Sequence, residues 1–237
     1  MKQYLGYGGV GDCFIIILKL LEQEKDLRNF TYTHIESGVE KLEMCHDLLN
    51  YYKIKHNLIK TPNLRAWWYQ NSHKFDKCFN VSIEGSINVP PRDFHWEPCQ
   101  DEGVSQAFNP EPSLAKKYPL CIQVNGGLKC ENKVRNCEKR GVVEYVNRIF
   151  KSNKDNIVWV GINEEFNPPW GTNYSGKISL EETMKIISKS EKFIGFNSIL
   201  LYWALYNKVD SHLFMDHQGK FDIRIHEKWK QHLTFVN

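Results

Sequence analysis

The sequence predicts an α/β protein with a parallel sheet in each of two domains. Three observations support this. In the carboxyl half, strand-like apolar segments alternate with helix-like segments, which is the pattern of βαβ units. In the amino half, a short strand leads through a glycine turn into an apolar helix. Between the halves, six prolines fall among polar residues. The expected domains are 1–112 and 113–237, with an irregular proline-rich connection over 85–118.

The predicted elements of the amino half are short. A first strand is expected over 3–7, and the following GGVGD turn leads into a helix over about 13–23. A second helix follows Ser37, because apolar residues recur there at helical spacing from Val39 to Tyr52. Further strands are expected over 32–35, 56–59 and 77–81.

The carboxyl half alternates more regularly. Strands are expected over 120–124, 157–162, 192–196 and 212–215, with helices over 142–150, 180–188 and 198–206. Ser179 and Glu182 have the S-x-x-E spacing of a capping box, which fixes the start of the middle helix. The last segment, 223–235, is expected to be a surface helix or turn.

Composition sets the outer limits on function. The formal net charge of +3 is compatible with an anionic ligand but is too small to require nucleic acid. The seven cysteines form no C-x-x-C pair, which favours reduced thiols in a cytoplasm. No signal peptide is expected, and no apolar run, whether Phe14 to Leu18 or the longer ILLYWALY, approaches the roughly 20 residues that span a bilayer. We therefore expect a cytoplasmic protein without a transmembrane segment.

The glycine turn is the first candidate for chemistry. Gly9 and Gly11 allow a ligand to approach the backbone, and the N–H groups of the following helix could hold an anion. The turn meets the dinucleotide-binding motif only in part, since no acidic residue is expected to close a second strand about twenty residues on. Asp12 ends the turn, and two interpretations remain open for it: a general base or a cap of the helix.

Two loops of the carboxyl half are candidates for a phosphate site. Asn125 and Gly126 follow a predicted strand and precede a basic stretch that contains Lys133 and Arg135. These cations could neutralise a diphosphate, or they could belong to a solvated loop of mixed charge. Asn197 and Ser198 lie between a strand and a helix, where Asn197 could cap the helix while its N–H groups face a phosphate.

Other residues are weaker candidates. Glu164 and Glu165 follow the strand IVWVGI, where a carboxylate could accept hydrogen bonds from a ribose. A sugar or an unpaired base could bind to the cation and aromatic rings of Arg65, Trp67 and Trp68, although at least one Trp is expected to pack in the core. No residue set has the spacing of a metal site, so no metal ligand is predicted.

The segment from Ser175 to Ser198, SGKISLEETMKIISKSEKFIGFNS, together with Gly11-Asp12 and the Asn125-Gly126 loop, resembles the heptosyltransferase-like glycosyltransferases of family 9. The resemblance implies a compact GT-B fold, with two Rossmann-like domains facing a cleft. It implies inverting transfer of a sugar from a nucleotide-diphosphate sugar, with Asp12 as the base.

The resemblance also implies roles for the carboxyl half. The basic loop and the helix N-terminus at Asn197 and Ser198 would stabilise the departing diphosphate, and Glu164 or Glu165 would hold the nucleoside. Where the family has Asp-Ser-Gly-x-x-His, this chain has NSILLY, starting at Asn197. The resemblance therefore leaves a divalent metal requirement open, and no tightly bound cofactor is implied.

The acceptor and the oligomeric state stay open at this point. A saccharide of a surface glycan and a hydroxymethylated base in DNA are both considered as acceptors. Two alternatives to a glycosyltransferase are a non-catalytic module that binds a sugar nucleotide or glycan, and a nucleotide-dependent enzyme of another doubly wound family.

Overall fold

The computed structural model describes residues 1–24, 26–79, 115–126, 137–138, 140–151, 154–162, 165–214 and 231–236. The chain divides into two compact units, of which the first contains the described residues up to Phe79 and the second those from Ala115 onward. Each unit has a parallel sheet with helices between its strands, so the predicted α/β class is confirmed. The predicted proline-rich connection falls almost wholly outside the described residues.

The first unit contains a four-stranded parallel sheet in the order β3-β2-β1-β4. Its strands are β1 (Lys2–Tyr7), β2 (Phe30–Glu36), β3 (His56–Lys60) and β4 (Lys77–Phe79). Its helices are α1 (Val10–Gln23), α2 (Val39–Tyr51) and α3 (Leu64–Asn71).

Burial explains why these elements form. Every residue of β2 is buried, including its polar ones, as expected for a central strand of a parallel sheet. In α1, the run from Phe14 to Leu18 is also buried, so this helix is enclosed and has no broad polar face along that run. Burying each such Ile, Leu or Phe stabilises the fold by roughly 1.5–3 kcal/mol.

The second unit contains a six-stranded parallel sheet in the order β10-β9-β8-β5-β6-β7. Its strands are β5 (Cys121–Gln123), β6 (Val158–Val160), β7 (Thr172–Asn173), β8 (Lys192–Gly195), β9 (Asp210–Phe214) and β10 (Leu233–Val236). Its helices are α4 (Val142–Ile149), α5 (Leu180–Ser188) and α6 (Ile199–Tyr206), and all eight residues of α6 are buried.

One element was not predicted, and one prediction is wrong. No element was predicted near residue 64, where α3 begins; the Asn63 side chain starts this helix by accepting a hydrogen bond from the Ala66 N–H at 3.0 Å. A surface helix or turn was predicted up to residue 235, whereas β10 adds a parallel strand beside β9, pairing Leu233 with Ser211. Beyond these, most predicted elements are present with ends shifted by one to three residues.

The strand orders place a topological switch point in each sheet. The chain passes from β1 to β2 and β3 on one side, and β4 lies on the other side of β1. It passes from β5 to β6 and β7 on one side, and β8, β9 and β10 lie on the other side of β5. Open α/β sheets bind ligands outside the carboxyl ends of the strands at such points. The loops after β1, β5 and β8 are therefore where a site is expected.

Among the described residues, no helix is both long enough and apolar enough to cross a bilayer.

Candidate functional site

The turn between β1 and α1 is built around the carboxylate of Asp12. Gly9 is the N-cap of α1, and Asp12 is the third helical residue. The Gly9 N–H donates to Oδ2 of Asp12 at 2.8 Å, so the carboxylate folds back over the turn. Asp12 is thus not the N-cap itself; it makes one half of a capping box, the bond from the third helical residue back to the N–H of the N-cap, while Gly9 has no side chain to make the other half.

Gly8 makes this arrangement possible. Its φ is +119°, a conformation that residues with a side chain rarely adopt, and a Cβ placed on it would lie 2.5 Å from Oδ2 of Asp12. No other residue type could stand there without moving the carboxylate. The glycine at position 8 is therefore explained by the position of Asp12.

The Asp12 carboxylate lies in the first turn of α1, at the positive end of the helix. The positive end of a helix dipole and its free N–H groups attract an anion, and Asp12 supplies one from the chain itself. A diphosphate at this turn would meet the negative charge of Asp12 at close range. A diphosphate bound at Gly9 and Gly11, as the sequence predicted, would therefore compete with the carboxylate of Asp12 for the N–H groups of the turn.

Glu36 is a residue that the sequence analysis missed. The strand β2 extends to Glu36, so an acidic residue does close the second strand, and Gly6, Gly8 and Gly11 have the spacing of the dinucleotide-binding motif. Glu36 is 3% exposed, however, and its Oε1 accepts from the N–H of Ser37 at 2.8 Å and of Gly38 at 3.2 Å. Like Asp12, it is bonded to the backbone of its own turn. In this chain, the glycine turn after β1 therefore folds around the carboxylate of Asp12, and the turn after β2 folds around the carboxylate of Glu36.

A buried histidine lies directly beneath the glycine turn. His34 Nε2 donates to the carbonyl oxygen of Gly8 at 2.9 Å, because a carbonyl can only accept. Its Nδ1 is 2.7 Å from the Tyr32 hydroxyl, and a Cβ on Gly6 would lie 2.3 Å from that hydroxyl oxygen. Gly6 thus makes room for the tyrosine that fixes the histidine, and the histidine in turn fixes the carbonyl of Gly8.

Two cysteines adjoin this histidine. Cys13, His34 and Cys45 are fully buried, and one ligand atom from each lies within 4.8 Å of the others. The Cys13 thiol donates to Cys45, which together with His34 lowers the pKa of the Cys45 thiol to about 6 despite burial, while burial raises the pKa of Cys13. Burial alone would lower the pKa of His34, but the hydrogen bond and charge of Cys45 leave that pKa raised.

In the second unit, Gln123 joins the two loops at the switch point. This side chain is 2% exposed. Its Oε1 accepts from the Phe196 N–H at 3.2 Å and from the Ser198 hydroxyl at 3.0 Å, and its Nε2 donates to the Asn125 carbonyl at 2.8 Å. One amide therefore ties the end of β5 to the end of β8. A polar residue inside the otherwise apolar segment LCIQV was the signal that could have identified it.

The N-terminus of α6 has no side-chain cap. Its N-cap is Ser198, not Asn197. The Ser198 side chain makes no hydrogen bond to the helix, and its hydroxyl donates to Gln123. Asn197 is held elsewhere, since its Oδ1 accepts from the Tyr202 hydroxyl at 2.7 Å. The prediction that Asn197 caps this helix is therefore wrong. The N–H groups of the first turn, at Ile199, Leu200 and Leu201, have no intrahelical partner.

The side chain of Asn125 makes a hydrogen bond to the loop after β6, which the sequence did not predict. Its side chain is nearly buried, and its Oδ1 accepts from the Ile162 N–H at 3.3 Å. Gly161, with φ of +143°, leaves room for that oxygen, which would lie 2.9 Å from a Cβ there. Asn125 thus connects the loops after β5 and β6, and Gly126 beside it is also buried.

Three other predicted site residues lie outside the described residues: Lys133, Arg135 and Glu164. Glu165 is described, and its side chain is exposed in the loop after β6. Its neighbour Phe166 is buried against Trp159, with ring centroids 5.1 Å apart, which fixes the start of that loop.

The aromatic residues predicted to contact an acceptor divide into two kinds. Trp68 is 1% exposed and packs edge-on against Tyr7, with ring centroids 4.9 Å apart, so it is a core residue and its ring is not presented to a ligand. Trp67 is half-buried and lies 6.4 Å from the Phe75 ring. The backbone of Arg65 lies in α3, and its side chain is outside what the structure describes.

Solved structures with the same fold were found by comparison. The ADP-heptose LPS heptosyltransferase II of E. coli superposes with a TM-score of 0.57 at 11% identity, over 100% of this chain and 90% of that one. A family 9 glycosyltransferase of Veillonella parvula DSM 2008 gives a TM-score of 0.55 at 12% identity, over 99% and 86%.

A third structure is that of the dodecameric iron-containing heptosyltransferase TibC of E. coli, in complex with ADP-D-beta-D-heptose. It superposes with a TM-score of 0.53 at 12% identity, over 100% of this chain and 63% of that one. No family model and no curated protein matches this sequence. At these identities the likeness shows the fold: two Rossmann-like units of the kind that family 9 glycosyltransferases contain.

Proposed function

We propose that this chain is a glycosyltransferase that moves a sugar from a nucleotide-diphosphate sugar to an acceptor hydroxyl, with inversion at the anomeric carbon. The observation that carries the proposal is the uncapped N-terminus of α6 at the switch point of the second sheet. It offers N–H groups to an anion at the place where α/β sheets bind ligands. The likeness to heptosyltransferases over the whole chain supports the same assignment.

The second unit is assigned the donor. The diphosphate binds to the N–H groups of Ile199, Leu200 and Leu201, and its charge is further stabilised by the dipole of α6. Because that charge grows as the sugar leaves, these groups bind the transition state more tightly than the intact donor. Gln123 keeps the two loops in register and so holds the N–H groups in position. Glu165 stays the candidate for contact with the nucleoside.

The first unit is assigned the base. Asp12 takes the proton from the acceptor hydroxyl as the oxygen forms its bond to the anomeric carbon. The bond from that carbon to the diphosphate oxygen breaks in the same step, and its electron pair leaves with the diphosphate. A single displacement of this kind inverts the configuration. The Gly9 N–H donates to Oδ2 of Asp12, and a carboxylate can accept several hydrogen bonds and take up a proton.

A saccharide hydroxyl is the proposed acceptor. A hydroxymethylated DNA base as acceptor would need aromatic side chains that can stack on it. Trp68 is a core residue, so its ring is not available for such stacking. The net charge of +3 is also small for a protein that holds a DNA backbone. No observation on the described residues favours a DNA acceptor over a saccharide.

The decisive experiment is Asp12→Asn, assayed by nucleotide diphosphate release from UDP-, GDP- and ADP-sugars in the presence of oligosaccharide acceptors. Asparagine keeps an oxygen that can accept from Gly9 but cannot take a proton, so we expect turnover to fall by roughly 10²–10⁴-fold. Thermal stabilisation by the donor should stay close to that of the wild type.

The matched control is Asp26→Asn. Asp26 is another carboxylate that accepts from a backbone N–H, that of Arg28 at 3.0 Å, but it is far along the chain from the glycine turn. It should retain full turnover. Full turnover in Asp12→Asn would contradict the assignment of the base. Donor binding without any diphosphate release by the wild type would instead favour a non-catalytic sugar-nucleotide module.

A further inference from the structure

Three metal-binding side chains from three different elements meet beneath the glycine turn. Cys13 comes from α1, His34 from β2 and Cys45 from α2. Their ligand atoms lie within 4.8 Å of one another, and all three residues are fully buried. In a tetrahedral zinc site the ligand atoms are roughly 3.6–3.8 Å apart. The present separations are thus at most about 1 Å longer than those of a zinc site.

We propose that Cys13, His34 and Cys45 bind a borderline-soft divalent metal ion of the Zn²⁺ type. Two sulfur ligands and one imidazole select such an ion over Mg²⁺ or Ca²⁺, which prefer oxygen. The site is structural, because the three ligands are enclosed and belong to separate elements of one sheet and its helices. The metal joins α1, α2 and β2 at a point adjacent to Asp12.

The hydrogen bonds of His34 suit a metal ligand. A ligating histidine normally donates its other ring N–H to a carboxylate or a backbone carbonyl, which fixes the orientation of the ring. His34 does this through Nε2, which donates to the Gly8 carbonyl at 2.9 Å. Its Nδ1 is then the ligand atom. The Gly8 carbonyl thus connects the metal ligand to the turn that holds Asp12.

The Tyr32 hydroxyl is the present hydrogen-bond partner of this ligand atom. It lies 2.7 Å from Nδ1 of His34 and is buried with it. A metal that takes the lone pair of Nδ1 replaces this hydrogen bond, and the protein ligands are Cys13, His34 and Cys45. Gly6 leaves the space in which the hydroxyl stands, since a Cβ there would lie 2.3 Å from the oxygen.

The test is to refold the reduced full-length chain with Co²⁺, because a buried site is formed as the chain folds. We expect one equivalent of Co²⁺ to bind, with the sulfur-to-cobalt charge-transfer absorption of thiolate ligands and the visible bands of tetrahedral Co²⁺. One equivalent of Zn²⁺ should abolish both. Cys13→Ala and Cys45→Ala should each weaken the charge-transfer absorption, because its intensity scales with the number of thiolate ligands, and the double variant should lose it. The affinity of each single variant for Zn²⁺ should fall at least a hundredfold.

Cys78→Ala and Cys121→Ala are the matched controls, since both thiols are buried but lie outside the cluster. They should bind Co²⁺ like the wild type. A wild-type protein that refolds with no charge-transfer absorption overturns the proposal, and so does absorption that is as strong in both single cluster variants as in the wild type. Co²⁺ bound by imidazole alone, for example at the exposed pair His46 and His56, lacks that absorption and would also overturn it. None of these readouts depends on glycosyl transfer.

Discussion

At the scale of single residues, the position of one carboxylate depends on a missing side chain. Asp12 lies over the turn because Gly8 has no Cβ, and the same glycine adopts a φ of +119°. Two separate penalties would therefore follow from any substitution at this position: backbone strain and a collision with the carboxylate. The site is consequently sensitive to a residue that takes no part in chemistry.

We expect Gly8→Ala to lower the free energy of unfolding by roughly 1–3 kcal/mol, because alanine is strained at this φ and its Cβ displaces the Asp12 carboxylate. Chemical denaturation measures the loss, and turnover should fall with it. Gly38→Ala is the control, since a Cβ at Gly38 meets only the Lys41 side chain at 3.8 Å and should change stability little. Equal stability of the two variants would contradict this explanation of the turn.

Sequence reasoning identified Asp12 as a residue of interest but could not choose between a base and a cap. The choice depends on where the helix starts, and α1 starts three residues earlier than expected because Gly9, without a capping side chain, is its N-cap. The cluster of Cys13, His34 and Cys45 could not be predicted from the sequence, for a different reason. Its members are far apart in the chain and are brought together only by the pairing of β1 with β2 and the packing of two helices.

At the scale of elements, α5 and α6 begin in opposite ways. The first turn of α5 is fully capped: the Ser179 hydroxyl accepts from the Glu182 N–H at 3.2 Å, and Glu182 Oε2 accepts from the Ser179 N–H at 2.9 Å. The N-cap of α6 makes no such bond. The sequence predicted the first helix start to the residue because the capping box is local. For the second helix it predicted a start one residue early, at 198, and named Asn197 as the cap, because the hydrogen bond from Ser198 to Gln123 is a tertiary contact.

The difference between the two helix starts can be tested with proline, which fits the first helical position but has no N–H. In Ile199→Pro, we expect donor affinity to fall roughly tenfold or more, since one hydrogen bond to a charged group is removed. The preceding Ser198 is already extended, with φ −161° and ψ 172°, as a residue before proline requires. Calorimetry of donor binding measures the effect.

Two further variants separate the lost N–H from other changes. Ile199→Ala removes the same side chain but keeps the N–H, so it should retain most of the donor affinity. Leu180→Pro places the same substitution at the first position of α5, after an extended Ser179, and should leave donor binding unchanged. Donor affinity equal in Ile199→Pro and Ile199→Ala would mean that the helix N-terminus does not hold the diphosphate.

The capping box of α5 also predicts a pH dependence. The hydrogen bond from the Ser179 backbone lowers the pKa of Glu182 below its ordinary value of 4.5. Such a group adds stability above about pH 4.5, and the contribution is lost as the pH falls through the lowered pKa. Glutamine can accept the same bonds without titrating. We therefore expect the stability difference between the wild type and Glu182→Gln to be constant near neutral pH and to shrink in acid, as measured by denaturation across pH.

The elements that the sequence analysis missed share a cause. In α3, the sequence WWY carries aromatic residues that do not favour a helix by themselves, and the helix is held by Asn63 at its start and by burial of Trp68. In β10, four residues form a strand only because the edge of β9 is beside them. Tertiary contacts decided both elements, whereas the strands and helices predicted correctly have their own apolar pattern.

At the scale of the whole molecule, a ligand that binds only the folded chain must raise its stability. We expect the cognate nucleotide-diphosphate sugar to stabilise the protein by about 2.7 kcal/mol at one hundred times its dissociation constant. A thermal-shift series over UDP-, GDP- and ADP-sugars measures this, and the matching free sugars and NAD are the controls. Stabilisation by NAD but by no nucleotide sugar would contradict the proposed donor.

Much of the fold followed from the sequence, because alternating strands and helices lead to parallel sheets almost regardless of detail. The order of the strands did not follow. The order β10-β9-β8-β5-β6-β7 is set by which side of β5 the chain takes after β7, and no local pattern records that choice. The candidate site depends on that order, since it brings the loops after β5 and β8 together.

The burial of α6 on all its faces has a consequence for how the protein would respond to salt. Its eight residues are all enclosed, so little water or dissolved ion can approach the helix along its length. Mobile ions screen exposed charges within a Debye length of about 8 Å at physiological ionic strength, but they screen enclosed dipoles much less. A diphosphate held mainly by this helix should therefore bind with nearly the same affinity in dilute buffer and in high salt, unlike one held by exposed lysines.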